Sequence, residues 1–182
     1  RVAPAQIAEV EARVYAISRN HPLPSCRVQL LRYFMQNATS QPMVKELYAL
    51  WQEQSDKRLN QQDYTTLAYE LAIRLPAESE QILRTQRARI DDPDRLRQFD
   101  FISRAVVSDT ARLDTLFNSL LVAENRRIEP WTAAVIRYLN HPLREEQSVK
   151  YIRPGLEVLE EVQRTGDIFF PKNWASALLG NH

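Results

Sequence analysis

The chain has 182 residues, of which 44% are hydrophobic and 26% are charged, a composition typical of a globular protein that can bury a sizeable core. Its 24 basic and 23 acidic residues leave a formal net charge of +1, so no overall field attracts nucleic acid or an anionic membrane. The single cysteine, Cys26, excludes an internal disulfide, and no apolar run reaches the roughly 18 residues of a membrane span.

The chain begins at Arg1, without a recognisable signal peptide. We therefore expect a soluble fragment of a longer protein. Its compartment is not determined by the sequence.

Prolines and capping residues divide the first half into segments with a helical apolar period. Helices are predicted over residues 4–19 and 25–37, from Pro42 with Thr39 or Ser40 as the cap, from Asn60, and over residues 76–89.

The second half follows the same rules. Asp92 and Asp109 are predicted to cap helices, and Pro130 and Pro142 to open two more. The helix from Pro142 is expected to run towards Thr165 with a kink or a break at Pro154-Gly155. A last short helix should carry Trp174.

About ten helices with short links, and no convincing strand, predict an all-α fold. Short links favour antiparallel pairs, and stacked pairs give an α-α superhelix of the HEAT or armadillo kind in one domain, 1–182. His21-Pro22-Leu23 recurs as His141-Pro142-Leu143, which fits three periods of about 40 residues but is also compatible with coincidence. A compact helical bundle is the alternative.

The sequence contains no recognisable arrangement of catalytic residues. The three glycines, Gly155, Gly166 and Gly180, all lie in the last 28 residues, so a glycine-rich phosphate loop is not expected in the first 154. The three histidines have no metal-ligand spacing, His141 is interpreted as a turn residue, and Cys26 is expected to be a buried structural thiol. The mixed charges around Arg87 and Arg126 are interpreted as salt-bridged surface. No metal ligand, cofactor or catalytic residue is therefore predicted in this chain.

Several ordered blocks of the second half carry a family resemblance: Asp114–Leu121, Asn125–Trp131, Tyr138–Arg144, Lys150–Gly155 and Gln163–Pro171. Together they resemble the C-terminal helical domain of bacterial zinc aminopeptidases of the aminopeptidase-N type. The first half agrees only in being helical.

That resemblance implies a HEAT-like superhelix that packs against a catalytic domain of the same polypeptide and helps to enclose a cavity over its zinc site. The zinc ligands and the G-x-M-E-N loop of the family belong to that absent domain, so zinc is implied there and no catalytic residue carries over. It also implies a bacterial protein, of the cytoplasm or the periplasm.

Arginine is the side chain best suited to hold the carboxylate end of a peptide. We therefore expect some of Arg137, Tyr151, Arg153 and Arg164 to contact a peptide substrate or the catalytic domain, and Gly166 to end a helix. A free-standing HEAT- or TPR-like scaffold that binds a protein partner is the alternative function.

Overall fold

In a computed structural model, which describes residues 3–182, the regular elements are all helical and no strand occurs within that range. The predicted all-α class is confirmed. The α-helices are α1 (Pro4–Asn20), α2 (Pro24–Asn37), α3 (Gln41–Glu53), α4 (Gln61–Arg74), α5 (Ser79–Arg87), α6 (Pro93–Ile102), α7 (Thr110–Leu120), α8 (Glu129–Leu139), α9 (Glu145–Glu157), α10 (Leu159–Thr165) and α11 (Phe170–Leu179). Short 3-10 helices cover Ser103–Ala105, Ala123–Arg126 and Pro142–Arg144.

The helices form two compact units, one up to Gln86 and the other from Arg87. In the first unit α1 packs on α2, and α3 on α4, as consecutive helices with short links should. Its core is formed by fully buried side chains of α2, α3, α4 and α5: Leu31, Phe34, Leu47, Trp51, Leu67, Leu71 and Ile82. The organisation as a single domain stays a prediction.

In the second unit α8 packs against α6, α7 and α11, and α11 also contacts α9 and α10. Its buried side chains come from α6 to α11: Phe99, Leu116, Phe117, Leu120, Val135, Ile136, Val162, Trp174 and Leu178. No helix in the described range is both long and apolar enough to cross a bilayer.

Three predicted helix starts are confirmed by their capping bonds. Asn60 forms a capping box with Asp63, in which each side chain accepts a backbone N–H of the other at 3.0 Å. Asp92 accepts the N–H of Arg95 at 2.8 Å, and Asp109 accepts from the first turn of α7. These side-chain oxygens satisfy helix donors that would otherwise lack a partner.

The cap of α3 differs from the prediction. Ser40 occupies the cap position, but its side chain makes no capping bond. The Glu11 carboxylate of α1 accepts the backbone N–H groups of Thr39 at 2.7 Å and Ser40 at 2.9 Å instead. A residue 28 positions away in sequence therefore caps the link into α3.

The long helix is divided in two as expected, but the break lies at Val158 and not at Pro154-Gly155. Helix α9 continues through both residues to Glu157, and α10 begins at Leu159. A proline in a helix removes one backbone donor, yet this segment stays helical and packs against α11. The Gly155 carbonyl accepts the indole N–H of Trp174 at 2.9 Å, and a Cβ added at Gly155 would lie 2.7 Å from Leu178 Cδ2. Gly155 thus permits a close approach of α11.

Candidate functional site

Tyr151, one of the predicted contact residues, lies in the core of the second unit and is 4% exposed. Its hydroxyl donates to Asp114 Oδ1 at 2.6 Å, and its ring stacks on Phe117 with centroids 4.5 Å apart. Lys150 Nζ lies 2.6 Å from the same Asp114 oxygen. These contacts tie α9 to α7.

The pKa shifts in this cluster favour the protonated Tyr151 hydroxyl and the ionised Asp114 carboxylate. Burial raises the pKa of Tyr151, and the hydrogen bond to the Asp114 carboxylate raises it further. Hydrogen bonds from Lys150 and Tyr151 lower the pKa of Asp114. Tyr151 therefore stays a hydrogen-bond donor, and Asp114 a carboxylate, over the neutral range, which suits a structural tie and not proton transfer.

Arg144 supports the same region and was not recognised from the sequence. Its guanidinium donates to the carbonyls of Ala105 at 2.6 Å and Val107 at 2.7 Å. These bonds give partners to backbone acceptors at the end of the 3-10 helix of residues 103–105 and just after it. Burial lowers the pKa of Arg144 to about 10. Nothing local in the sequence marks this role, because the carbonyls lie 37 to 39 positions away.

The other three predicted residues, Arg137, Arg153 and Arg164, lie on α8, α9 and α10 and are exposed. Arg153 Nε is 2.9 Å from Glu157 Oε1, and its side chain is 90% exposed. Across the part of the chain that the structure describes, no hydrogen bond or ion pair joins any of the three to Tyr151. Their contact with a peptide or another domain stays a prediction.

The link between α10 and α11 is held by two carboxylates. Asp167 Oδ1 accepts the N–H groups of Phe169 at 2.7 Å and Phe170 at 2.9 Å, and thereby caps the start of α11. Glu129 Oε1 accepts the N–H of Asp167 at 2.9 Å. Gly166 ends α10, as predicted: its N–H donates the last helical bond, to the Val162 carbonyl at 2.9 Å, and its own backbone is extended. The conformation of this link is therefore fixed from both ends.

Two large apolar side chains stand out from that link. Ile168 is 86% exposed and Phe169 is 65% exposed. The backbone next to them is nevertheless fixed, because the N–H of Asp167 donates to Glu129 on α8. We call this pair the Ile168–Phe169 tip. An exposed apolar pair on a link whose backbone is fixed by hydrogen bonds is a candidate contact surface.

Arg126 was expected on a salt-bridged surface, and its burial, at 3% exposed, corrects the surface position. Its Nη1 donates to the Leu121 carbonyl at 2.8 Å, and Nη2 lies 2.9 Å from Glu161 Oε1. That second contact is close enough for an ion pair but lacks the geometry of a hydrogen bond. Arg126 and the exposed Arg127 line a crevice of about 270 Å³ beside the tip.

The first unit carries an apolar groove of about 400 Å³ between α1, α2 and the link to α3. Val10 and Tyr33 on its walls are 59% and 60% exposed. The groove is lined by Gln6, Ile7, Val10, Glu11, Val14, Tyr33, Phe34, Asn37, Ala38 and Thr39.

The remaining candidates have local roles. His141 is a turn residue, as predicted, with Nδ1 accepting the Leu143 N–H at 3.2 Å, and His21 makes the same contact with Leu23. Cys26 is partly exposed, so the expected full burial is wrong. Within residues 3–182, no three His, Cys, Asp or Glu side chains gather into a group that could hold a metal ion.

A search of protein-family models, curated proteins and solved structures finds no match to this chain.

Proposed function

We propose that this chain is the non-catalytic C-terminal domain of a zinc-dependent aminopeptidase, which packs on the catalytic domain and helps to enclose the peptide-binding cavity. The proposal is supported by the ordered sequence blocks from Asp114 to Pro171 and by the all-helical fold. The observation that carries it is the Ile168–Phe169 tip, which lies inside the last of those blocks. Such a tip would lose its exposed apolar area against a neighbouring domain.

In this proposal the chain contributes binding and enclosure, and the zinc chemistry belongs to a domain outside it. Arg153 and Arg164 are exposed cations that could hold the carboxylate of a peptide substrate, whereas Tyr151 would act indirectly by fixing α9 to α7.

The experiment replaces Arg153 and Arg164 by Ala in the parent enzyme and measures kcat and KM on a multi-residue peptide. The proposal predicts a raised KM for that peptide and an unchanged KM for a single-residue anilide. Thermal unfolding monitors stability. If both variants leave kcat and KM of the peptide unchanged at unchanged stability, the peptide contact is ruled out.

The tip is tested separately. Phe169→Asp should weaken association between this chain and the separately produced remainder of the parent polypeptide by at least about tenfold, because a carboxylate would have to be buried at the contact. Val149→Asp, an exposed position on α9 that is 54% exposed, is the matched control. Equal affinity for Phe169→Asp and the unchanged chain would exclude the tip from the contact.

A second function, a free-standing helical scaffold that binds a protein segment, is favoured by the groove of the first unit. An apolar groove with α-helical walls suits the apolar face of a partner helix. The absence of an H-E-x-x-H motif in the parent polypeptide would favour this alternative.

A further inference from the structure

A cleft of about 360 Å³ in the second unit brings together two arginines. Arg104 lies in the 3-10 helix of residues 103–105, and Arg112 lies in the first turn of α7. The other lining residues are Ala111, Thr115 and Leu116, so the lining contains no acidic side chain.

Neither guanidinium makes an ion pair or a hydrogen bond within the described residues. The nearest acids in sequence are engaged elsewhere. Asp109 caps α7, Asp100 pairs with Arg87 at 2.8 Å, and Asp114 is held by Lys150 and Tyr151. Two like charges are therefore left to share one concave surface without a counter-charge from the chain.

That arrangement favours an anion with more than one charge. Two guanidiniums match the charge and the several acceptor oxygens of a phosphate dianion better than a carboxylate, which carries one charge. The Thr115 hydroxyl donates to the Ala111 carbonyl at 2.8 Å, so the arginines are the donors available to the anion. Ala111, which is exposed, and the edge of the buried Leu116 line the cleft beside them.

We propose that the cleft between Arg104 and Arg112 binds a phosphate monoester carried on a small apolar body. Its volume is that of a small-molecule site, and the site is independent of the proposed aminopeptidase role. The phosphate lies between the two guanidiniums, and the apolar body lies against Ala111 and Leu116.

The test is calorimetric titration of the whole chain with phenyl phosphate at pH 7.5, together with the chemical shifts of the Ala111 and Thr115 amides. We expect saturable binding, with benzoate and inorganic phosphate each weaker by about fivefold or more. Arg104→Gln combined with Arg112→Gln should weaken phenyl phosphate binding at least about tenfold. Arg95→Gln, an exposed arginine on α6 outside the cleft, should leave it unchanged.

Circular dichroism checks that the variants are folded, and the single substitutions Arg104→Gln and Arg112→Gln replace the pair if the double variant is not. The proposal is overturned if phenyl phosphate does not bind at 10 mM. It is equally overturned if the folded variants bind phenyl phosphate as the unchanged chain does, if Arg95→Gln weakens that binding as much, or if benzoate or inorganic phosphate binds as tightly.

Discussion

Gly155 shows how one missing side chain sets the distance between two helices. A methyl group there would lie 2.7 and 2.9 Å from the two δ carbons of Leu178, which is fully buried and has little room to move. Overpacking of this kind costs about 1–3 kcal/mol, and the better helix propensity of alanine returns about 1 kcal/mol.

We therefore expect Gly155→Ala to lower the free energy of unfolding by up to about 2 kcal/mol, measured by urea denaturation. In a Leu178→Ala background the same change should be neutral or stabilising, because the obstructing carbons are gone. An equal loss in both backgrounds would contradict the close packing described for Gly155.

Glu11 is a second residue whose role depends on distant neighbours. Burial raises the pKa of this carboxyl, but hydrogen bonds from Ser40 and Thr39 outweigh that effect, so the net pKa is lowered. A lowered folded-state pKa means that the carboxylate contributes stability above its unfolded pKa of about 4.3, and that this contribution is lost as the pH falls through the folded pKa.

Glu11→Gln should accordingly cost about 1–2 kcal/mol at pH 7, because an amide has one acceptor oxygen for two separate backbone donors. The difference from the unchanged chain should shrink as the pH is lowered below about 4. Glu9→Gln is the matched control, since among residues 3–182 Glu9 pairs only with the exposed Arg13 on its own helix, and its loss should change stability little. A pH-independent loss for Glu11→Gln would refute the capping role.

At the scale of an element, α9 is a helix that tolerates a proline in its interior. Pro154 cannot donate to the Lys150 carbonyl, and an interior proline costs about 3 kcal/mol relative to alanine, part of which is returned through the unfolded state. Pro154→Ala should therefore raise the free energy of unfolding by about 1–2 kcal/mol. Pro142→Ala, at the first position of a 3-10 helix where proline is favoured, should give no gain. A destabilising Pro154→Ala would mean that the proline ring itself is needed for packing.

The elements also show what sequence patterns can predict. Asn60, Asp92 and Asp109 were recognisable because a cap and the donors it satisfies lie within three residues of each other. The capping of α3 by Glu11 depends on the packing of α1, which local patterns do not contain. The contact of α9 with α11, through the bond from the Trp174 indole to the Gly155 carbonyl, is likewise absent from local patterns.

Buried arginines were missed for the same reason. Arg74 has a side chain 3% exposed, pairs with Glu70, and donates to the Ala38 carbonyl 36 positions away at 2.7 Å. Arg126 and Arg144 also bind backbone carbonyls, which have no sequence signature. A charged residue in a mixed cluster is usually exposed, so the expectation of surface charge was reasonable in general and wrong for Arg126.

For the whole molecule, the all-α class can be predicted from the composition, the helical spacing of apolar residues and the positions of prolines and capping residues. The function cannot be predicted from these features. The net charge of +1 indicates no particular class of partner, such as nucleic acid or an anionic membrane. The exposed cations are distributed over several helices. Within the candidate site, the helix end at Gly166 could be predicted from the sequence, whereas the exposure of the Ile168–Phe169 tip could not. Exposure of an apolar pair depends on how Asp167 and Glu129 hold the link.

The proposed role as the non-catalytic domain of a zinc aminopeptidase is tested most directly by the peptidase activity of two polypeptides assayed side by side with zinc. We expect the parent polypeptide to release N-terminal residues in a zinc-dependent manner and this chain alone to give no turnover. Turnover by this chain alone, or a parent polypeptide without zinc-dependent aminopeptidase activity, would contradict it.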